Sequence, residues 1–398
     1  MSVPEPVILC DPFYHSSNWF QEIIAGFRDA AAKDRNNSPI HIHSMGTIGQ
    51  LRLEPGIPVI VTNSSLKNLT SAVQQLRQAG IPVILSGVDG AHFGSDICSV
   101  ASDSALAMTQ MVRYLLSYDR KRIALAGFWS SSRNDMAFLD AAVAAADRFG
   151  YPISPQSIFL WENQLDESLN AFFRKYEDYN AVICPNDTIT ICLTRACRER
   201  DIRIPETLFV TGASNMRISQ KFEPSITTIS MDFREIGKET YYVREHLIRR
   251  ESKCSRISVS IPACIIPRES TGNFSLKEAL PQAGSQSVST FESGNNFFTN
   301  PTVNSLIRFE NCLSNRDEID QKIIMAILQG KSYEQMEEML FMSGSAIRYR
   351  RSRIFRDAGV SNRAEFEQLL TSLYSILQYI SFFISRGFTR SQFVIGQF

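Results

Sequence analysis

The sequence predicts an α/β fold followed by a small all-helical domain, and three observations support this prediction. From Pro6 to Cys264, short apolar runs alternate with segments of helical periodicity. Residues 283–302 are rich in Ser, Gly, Asn, Gln and Thr and show little periodicity. From Ile307 to Leu370 the periodicity is helical throughout. We therefore expect a sheet-containing domain at 1–271, a flexible linker at 272–305, a helical domain at 306–370 and a further helix within 371–398.

Composition excludes several classes of protein. The 398 residues include 41 basic and 41 acidic side chains, and 44% are hydrophobic. A net charge of zero argues against a polycation or an acidic tail protein, and the apolar content is sufficient for a full core. The eight cysteines form no CxxC pair, and the first residues have no basic, apolar leader. We expect buried, reduced thiols in a cytoplasmic protein with no membrane segment.

The apolar runs and the periodic segments alternate in order along the chain. The runs predicted as strands are Val7–Cys10, Ile40–Ser44, Pro58–Thr62, Pro82–Ser86, Arg122–Gly127, Ala181–Cys184 and Leu208–Gly212. The segments predicted as helices are Asn18–Lys33, Leu66–Ala79, Ser104–Tyr118, Arg133–Phe149, Leu165–Tyr176 and Thr188–Arg200. This order indicates parallel sheets with helices on both faces, and ligands in such folds bind beyond the carboxyl ends of the strands.

The carboxyl-terminal part contains a predicted helix-turn-helix. Residues 332–335 (SYEQ) have the capping-box pattern and begin one helix. Residues 341–344 (FMSG) end it, and we expect Gly344 to supply the tight turn. A second helix is predicted from about Ser345 to Asp357.

One face of the second helix is basic. At about 100° per residue, six side chains fall on one arc, and they are Ser345, Arg348, Tyr349, Ser352, Arg353 and Arg356. Ile347 and Ile354 fall on the opposite side, toward the predicted core. Arginine neutralises phosphates and reads guanine, and hydroxyls suit phosphates or base edges. The arc is typical of a DNA recognition helix; the alternative is a solvated arginine face.

Residues 342–365 resemble the LuxR/GerE-type DNA-binding domain without a gap. The resemblance also covers Gly330 before the scaffold helix and the segment Gly359–Arg363 (GVSNR). It implies sequence-specific binding to double-stranded DNA. Glu337 stands where the family has a small Ala, and Arg350 where it often has His.

An uncharged segment follows the helical domain. Within 368–385, Leu370, Leu373, Leu377, Ile380 and Ile384 are spaced three, four, three and four residues apart. This spacing is that of a two-heptad seam and predicts a dimerisation helix. A membrane span is the competing interpretation, but the segment is polar and only 18 residues long.

Four motifs within residues 5–271 resemble the effector domain of the LacI/GalR family. They are residues 181–187 (AVICPND), 203–212 (RIPETLFVTG), 224–229 (PSITTI) with Asp232-Phe233 and Ile236-Gly237, and Ile261-Pro262 with residues 267–270 (PRES). The resemblance implies a two-lobed periplasmic-binding-protein-like fold of type I, with a cleft for a small-molecule effector, commonly a sugar. The helix-turn-helix that the family carries ahead of this domain is expected here at the other end.

The resemblance also implies ligand-contacting residues. The family's arginine after the first strand of the second lobe matches Arg133, the asparagine of its Asn-Asp motif matches Asn186, and its hinge aromatic matches Phe233. Asp187 is expected to cap the next helix.

Further residues complete the expected pocket. The loop after the first strand contributes Phe13, Tyr14 and Asn18, with Trp161 and Asn163 as additional candidates. Ser214 replaces the first aspartate of a pair that grips a sugar hydroxyl in the family. A carboxylated or otherwise different ligand is therefore an alternative to a hexose.

No catalytic or metal-binding pattern is found in the sequence. It contains no G-x-S-x-G elbow, no P-loop and no dinucleotide fingerprint. His41 and His43 share one face of a predicted strand, but no carboxylate or cysteine stands near them in sequence. We expect no enzyme activity, no cofactor and no metal.

These observations predict a ligand-responsive transcription regulator that binds DNA as a homodimer. One alternative is a solute-binding protein of a transporter, which would need an export signal. Another is a sensor that acts through protein partners and has a degenerate helix-turn-helix. This alternative is motivated by Glu337, which stands where the LuxR/GerE-type family has a small Ala.

Overall fold

The structure is a computed structural model that describes residues 4–35, 38–249, 256–275, 301–313 and 316–373. These residues form two compact units. The first contains the described parts of Met1–Pro185 and Ile229–Ile266. The second contains those of Asn186–Thr228, Pro267–Ser275 and Phe297–Phe398.

The strands are short and mostly buried. They are β1 (Val7–Leu9), β2 (His41–His43), β3 (Val59–Val61), β4 (Val83–Ser86), β5 (Cys98–Ser102), β6 (Ile123–Trp129), β7 (Ile158–Trp161), β8 (Ala181–Ile183), β9 (Phe209–Ala213), β10 (Thr227–Ser230), β11 (Ser258–Ile261) and β12 (Cys264–Ile266).

The helices of the α/β part are α1 (Asn18–Lys33), α2 (Leu66–Gln78), α3 (Ser104–Ser117), α4 (Arg133–Arg148), α5 (Leu165–Phe173), α6 (Asp187–Arg198), α7 (Arg217–Lys221) and α8 (Phe233–Arg249). Those of the carboxyl-terminal part are α9 (Pro301–Leu313), α10 (Glu318–Leu328), α11 (Tyr333–Leu340), α12 (Gly344–Asp357) and α13 (Arg363–Ser372).

Two six-stranded sheets confirm the predicted α/β fold. The first has the order β11-β5-β4-β3-β1-β2, and the second the order β12-β10-β9-β8-β6-β7. In the first sheet Ile8 is paired in parallel with both Ile42 and Ile60. Parallel strands covered on both faces are continuous apolar runs, which is why periodicity identified most of them. The strands β5, β7, β10, β11 and β12 and the helices α7 and α8 were not among the predicted elements.

Helices α1 and α8 of the first unit approach each other at two glycines. A Cβ atom on Gly26 would overlap the main chain of Arg234, and one on Gly237 would overlap the main chain of Ile23. Further along the contact, the rings of Phe27 and Tyr241 meet edge to face at 5.3 Å. Only glycine allows this main-chain approach.

The helical part of the second unit packs around an apolar core, which it shares with α6 and α7. Ile347 and Ile354 of α12 are buried in it, as predicted, together with Ile323, Ile327 and Phe366. The capping box at Ser332 is confirmed, with the side chains of Ser332 and Gln335 each bonded to the other's main-chain N–H.

The turn between α11 and α12 differs from the prediction. The left-handed residue is Phe341, with φ of 53°, and Gly344 is instead the first residue of α12. The prediction that Gly344 forms the turn was therefore wrong. The Glu337 carboxylate lies where a Cβ atom on Gly344 would be, so this side chain of α11 approaches the main chain of α12 closely here.

The predicted linker and terminal helix lie largely outside the described residues. Helix α9 begins at Pro301, within the segment 272–305 that we predicted as linker. Helix α13 ends at Ser372, and Leu377, Ile380 and Ile384 of the predicted seam are not described. Among the helices of the described ranges, none has the length and apolarity to cross a membrane.

The α1–α8 contact leads to a stability prediction. Gly26→Ala should lower the free energy of unfolding by about 1–3 kcal/mol, because the new methyl group meets main-chain atoms that cannot rotate away. Helix propensity alone would raise the free energy of unfolding by up to about 1 kcal/mol. The sign of the measured change therefore distinguishes this effect from the overlap with the main chain. Urea unfolding measures the difference.

Gly49→Ala is the matched control, since a Cβ atom there has nothing within 4 Å. An unchanged or increased stability of Gly26→Ala would contradict the close approach of the two helices.

Candidate functional site

Two loops at the carboxyl ends of β3 and β6 are joined by main-chain hydrogen bonds. The Leu66 N–H donates to the Ser131 carbonyl at 2.9 Å, and the Arg133 N–H donates to the Ser64 carbonyl at 2.7 Å. Ser65 and Ser132 form an isolated antiparallel bridge. Leu66 and Arg133 are the first residues of α2 and α4, so each loop satisfies a free N–H group of the other loop's helix. We call residues 64–66 and 131–133 the loop bridge.

A polar network supports the β3 side of the loop bridge. One carboxylate oxygen of Asp11 accepts from the side-chain amides of Asn63 at 2.5 Å and Asn68 at 2.7 Å. The Tyr14 hydroxyl and the Ser64 hydroxyl are 2.6 Å apart. Burial raises the pKa of Tyr14 well above its usual value, so its hydroxyl stays neutral.

Asp135 supports the β6 side. Its carboxylate accepts from the Trp129 N–H at 2.9 Å and from the Ser132 hydroxyl at 2.8 Å, while Ser132 caps α4. Burial raises the pKa of Asp135 to about 6. The hydrogen bonds of Asp135 therefore fix the conformation of the loop that leads to Arg133.

Several buried polar atoms next to the loop bridge have no hydrogen-bond partner among the described residues. They are Thr62 Oγ1, Trp129 Nε1 and Arg133 Nε. His15 Nε2, in the loop after β1, is also buried and without a hydrogen-bond partner among the described residues. Thr62 directly follows β3, Trp129 ends β6 and Arg133 belongs to the loop bridge. Buried polar groups are normally paired, so unpaired groups at the carboxyl ends of strands indicate a place for a polar ligand. Sequence patterns did not single out His15, Thr62 and Trp129, although the polar run directly after β3 was a usable signal.

Among the predicted ligand residues of the first unit, the structure brings Tyr14 and Arg133 to the loop bridge. Trp161 is buried and stacks on Trp129 with ring centroids 5.7 Å apart. Its indole N–H donates to the Gly127 carbonyl at 2.9 Å.

The other predicted residues of this unit lie differently. Phe13 is 70% exposed and Asn163 is also exposed. Asn18 and Phe233 are half-buried, at the first positions of α1 and α8.

In the second unit, Asp187 connects three segments. Its buried carboxylate accepts from the Thr228 hydroxyl at 2.6 Å, the Ser219 hydroxyl at 2.5 Å and the Met216 N–H at 2.8 Å. Burial is the main cause that raises the pKa of Asp187 to about 6. The N-cap of α6 is Asn186, whose side chain accepts from Ile189 N at 3.1 Å. The prediction that Asp187 caps α6 was therefore wrong, because its carboxylate faces the interior of the unit.

The predicted ligand residue Ser214 is half-buried at the end of β9 and has a φ of 102°, followed by Asn215 at 50°. The Asn215 N–H donates to the Thr228 hydroxyl at 3.2 Å, and the Arg268 guanidinium bonds the Asn215 side chain. This short loop, residues 214–216, is thus tied to its surroundings through Asn215 and Met216.

The basic arc of α12 faces away from the helical core. Arg348 and Ser352 are exposed, as is Ser345, and Tyr349 is 67% exposed. The Arg356 side chain is 74% exposed and that of Arg353 is half-buried.

The remaining arginines of α12 are structural. Arg350 bonds Asp317 at 2.7 Å and Asp320 at 2.8 Å, and Arg351 lies over the rings of Tyr333 and Phe355. Arg348 of the arc also lies over the Tyr333 ring, at 5.9 Å, so the arc borders on the packed arginines.

The His41 and His43 rings stack at 6.3 Å, and His41 bonds Glu5 at 2.5 Å. Within the described part of the chain, no three His, Cys, Asp or Glu side chains form a group that could hold a metal ion.

Comparisons with known proteins agree with the observed fold. Residues 112–271 match the family model of the periplasmic binding protein-like domain, which supports the LacI/GalR-type resemblance of this part. The solved structure of a complex between the transcriptional regulator CelR and cellobiose matches with a TM-score of 0.59 at 16% identity, covering 67% of this chain and 86% of that chain.

Curated relatives are transcription regulators rather than enzymes. The HTH-type transcriptional repressor PurR of Vibrio atlanticus is 32% identical over 77 residues, which are 19% of this chain and 23% of that protein. The HTH-type transcriptional regulator DegA of Bacillus subtilis is 23% identical over 216 residues, or 54% of this chain and 63% of that protein. The chain therefore spans less than two thirds of the length of these relatives.

The raised pKa of Asp187 predicts a pH dependence of stability. The folded pKa of about 6 lies above the ordinary 3.8, so the stabilisation is complete in acid and is lost as the pH rises to about 6. The loss is on the order of 3 kcal/mol. Asp187→Asn does not titrate, so its stability deficit relative to the native chain should shrink between pH 4.5 and 7.5 in urea unfolding.

Asp178→Asn, which removes an exposed carboxylate, serves as the control and should give a difference that does not change with pH. A constant deficit for Asp187→Asn would show that this carboxylate does not titrate in the range.

Proposed function

We propose that this protein is a ligand-responsive transcription regulator. In this proposal a small-molecule effector binds in the periplasmic-binding-protein-like part, and the arc of α12 contacts double-stranded DNA. The observation that carries the proposal is the division of α12 into an exposed basic face and a face that holds Ile347 and Ile354 in the core.

The DNA-binding part of the proposal has local support. Ser343 caps α12 at the end that would enter the major groove, and Arg348 and Tyr349 project from its first turns. The LuxR/GerE-type resemblance covers the same residues. Two recognition helices in a homodimer would contact half-sites about one DNA turn apart, with the segment 371–398 as the proposed dimerisation helix.

The effector part rests on the groups around the loop bridge. Unpaired polar atoms on Thr62, Trp129 and Arg133 suit hydroxyls or a carboxylate, and the stacked indoles of Trp129 and Trp161 suit the apolar face of a sugar ring. In the CelR complex, the structurally similar protein is bound to cellobiose. We propose a sugar or sugar derivative as the effector of a cytoplasmic regulator. Asn186 and Ser214 are proposed as ligand residues from the LacI/GalR-type resemblance alone.

A sensor that acts through a protein partner is a second candidate. Phe341 is 95% exposed and Met339 43% exposed, both beside the turn before α12. Exposed apolar groups at this point favour a protein contact in place of DNA.

The salt dependence of DNA binding tests the assignment of the arc. Arg348→Ala with Arg353→Ala removes two cationic side chains, so the slope of log affinity against log salt should become shallower by about 2. Fluorescence anisotropy with a mixed-sequence 24-base-pair duplex between 50 and 200 mM salt measures it, without knowledge of the operator.

Arg28→Ala with Arg174→Ala is the matched control, because both arginines are exposed and lie in the first unit. It lowers the net charge equally and should leave the slope unchanged. Equal slopes for the arc variant and the native chain would favour the protein-partner alternative.

Thermal shift measurements test the effector site. A compound present at 100 times its Kd stabilises the native state by about 2.7 kcal/mol and raises Tm. Cellobiose, glucuronate and a panel of polyols are the probes, and the first two separate a neutral sugar from a carboxylated one. Arg133→Ala should abolish the rise, because its guanidinium can donate two hydrogen bonds.

Arg28→Ala should retain the full rise in Tm. A rise that persists in Arg133→Ala would place the effector away from the loop bridge.

A further inference from the structure

Helix α9 is attached to α7 by a buried carboxylate. Glu310 is 1% exposed, and its two carboxylate oxygens accept from the Arg217 N–H at 2.8 Å and the Ile218 N–H at 2.7 Å. Arg217 and Ile218 are the first two residues of α7, where main-chain N–H groups have no partner within the helix. Hydrogen bonds to an ionised acceptor are stronger than those between neutral groups.

Apolar side chains complete the contact. Ile191 of α6 and Ile218 and Phe222 of α7 belong to the same buried cluster as Leu306 and Phe309 of α9. Within this unit, α9 contacts both α6 and α7. Apolar contacts therefore attach the helical part to α6 and α7, and the Glu310 carboxylate fixes its orientation.

The other side of α7 is held by Asp187. The Met216 N–H and the Ser219 hydroxyl both donate to it. Met216 directly precedes α7 and ends the 214–216 loop. If the 214–216 loop is displaced, either α7 moves with it, or the hydrogen bonds that Met216 and α7 make to Asp187 and Glu310 must break.

Helix α9 is in turn joined to the end of α12. The Arg308 guanidinium donates to the Ala358 carbonyl at 2.9 Å and the Gly359 carbonyl at 2.8 Å. Helix α9 is also joined to α13, since the Ser372 hydroxyl of α13 donates to the Ser305 hydroxyl of α9 at 2.9 Å. A movement of α9 therefore carries α12 with it.

We propose that Glu310 is a positioning residue that couples the 214–216 loop to the DNA-binding helix. The inference rests on the proposed function, in which Ser214 senses the effector and α12 contacts DNA. The effector state is passed from the loop to α7, from α7 through Glu310 to α9, and from α9 to α12.

Hydrogen exchange of the full chain at pH 8 tests the attachment. At this pH the Glu310 carboxyl, whose pKa burial raises to about 7, is ionised. Glu310→Gln keeps one acceptor and turns an amide donor toward the second N–H. We expect at least tenfold faster exchange of the Arg217 and Ile218 amides, and unchanged exchange in β1, β3 and β4.

Glu338→Gln is the matched control, because Glu338 is an exposed glutamate of the same helical part. It should exchange like the native chain. Glu310→Asp provides a second variant if the glutamine disrupts folding, since the shorter carboxylate reaches one N–H at most and should give an intermediate rate. Native-like rates in both Glu310 variants would overturn the proposal.

A double-variant cycle distinguishes coupling from a structural role. Thr228→Val removes the hydroxyl that bonds Asp187 and the Asn215 N–H, at a site on β10. In the chain that keeps Glu310, Thr228→Val should raise the hydrogen-exchange rate of the α9 amides. In the Glu310→Gln chain, it should cause no further rise in this rate. Additive effects, or no effect on α9, would contradict the coupling.

Measurement of binding to the mixed-sequence duplex distinguishes a failure of this inference from a failure of the proposed function. Glu310→Gln leaves the arc intact, so its non-specific DNA affinity should stay within twofold of the native value. Absence of DNA binding by the native chain would overturn the proposed function alone, because the exchange results do not depend on DNA.

Discussion

The buried carboxylate of Asp187 is the constraint on which the second unit depends. It holds the start of α7, the residue before it and a strand hydroxyl, through Ser219, Met216 and Thr228. Burying a carboxylate is costly unless several donors surround it, and here three do. The conformation of the 214–216 loop follows from these bonds. The buried Glu310 carboxylate likewise holds α7, through the Arg217 and Ile218 N–H groups, so two acidic side chains from distant parts of the chain fix neighbouring residues of this helix.

Local signals decided which parts of the fold could be predicted. Helices α1 to α4 begin at the predicted residues, because Ser17, Ser65, Asp103 and Ser132 precede amphipathic segments and most of them cap the helix that follows. Strand β5 (CSVAS) and strand β10 (TTIS) lack a continuous apolar run, and they are buried only because neighbouring strands and helices cover them. Such partners are distant in sequence, so no local pattern identifies these strands.

The candidate site was predictable in type but not in detail. Tyr14 and Arg133, which the resemblance implies as ligand residues, both bond Ser64, whereas Phe13, the neighbour of Tyr14, is exposed. The contact between the 64–66 and 131–133 segments joins residues almost seventy positions apart, which periodicity cannot reveal. In α12 the helical projection separated the exposed arc from Ile347 and Ile354. It did not reveal that Arg350 is committed to two aspartates, because that pairing needs the position of α10.

The loop bridge consists of main-chain hydrogen bonds, which has a consequence for how this region can diverge. The Leu66 and Arg133 N–H groups and the Ser64 and Ser131 carbonyls persist whatever side chains these residues carry. Only proline at position 66 or 133 removes a donor. Side chains around the bridge can therefore be replaced without breaking the link between the two loops.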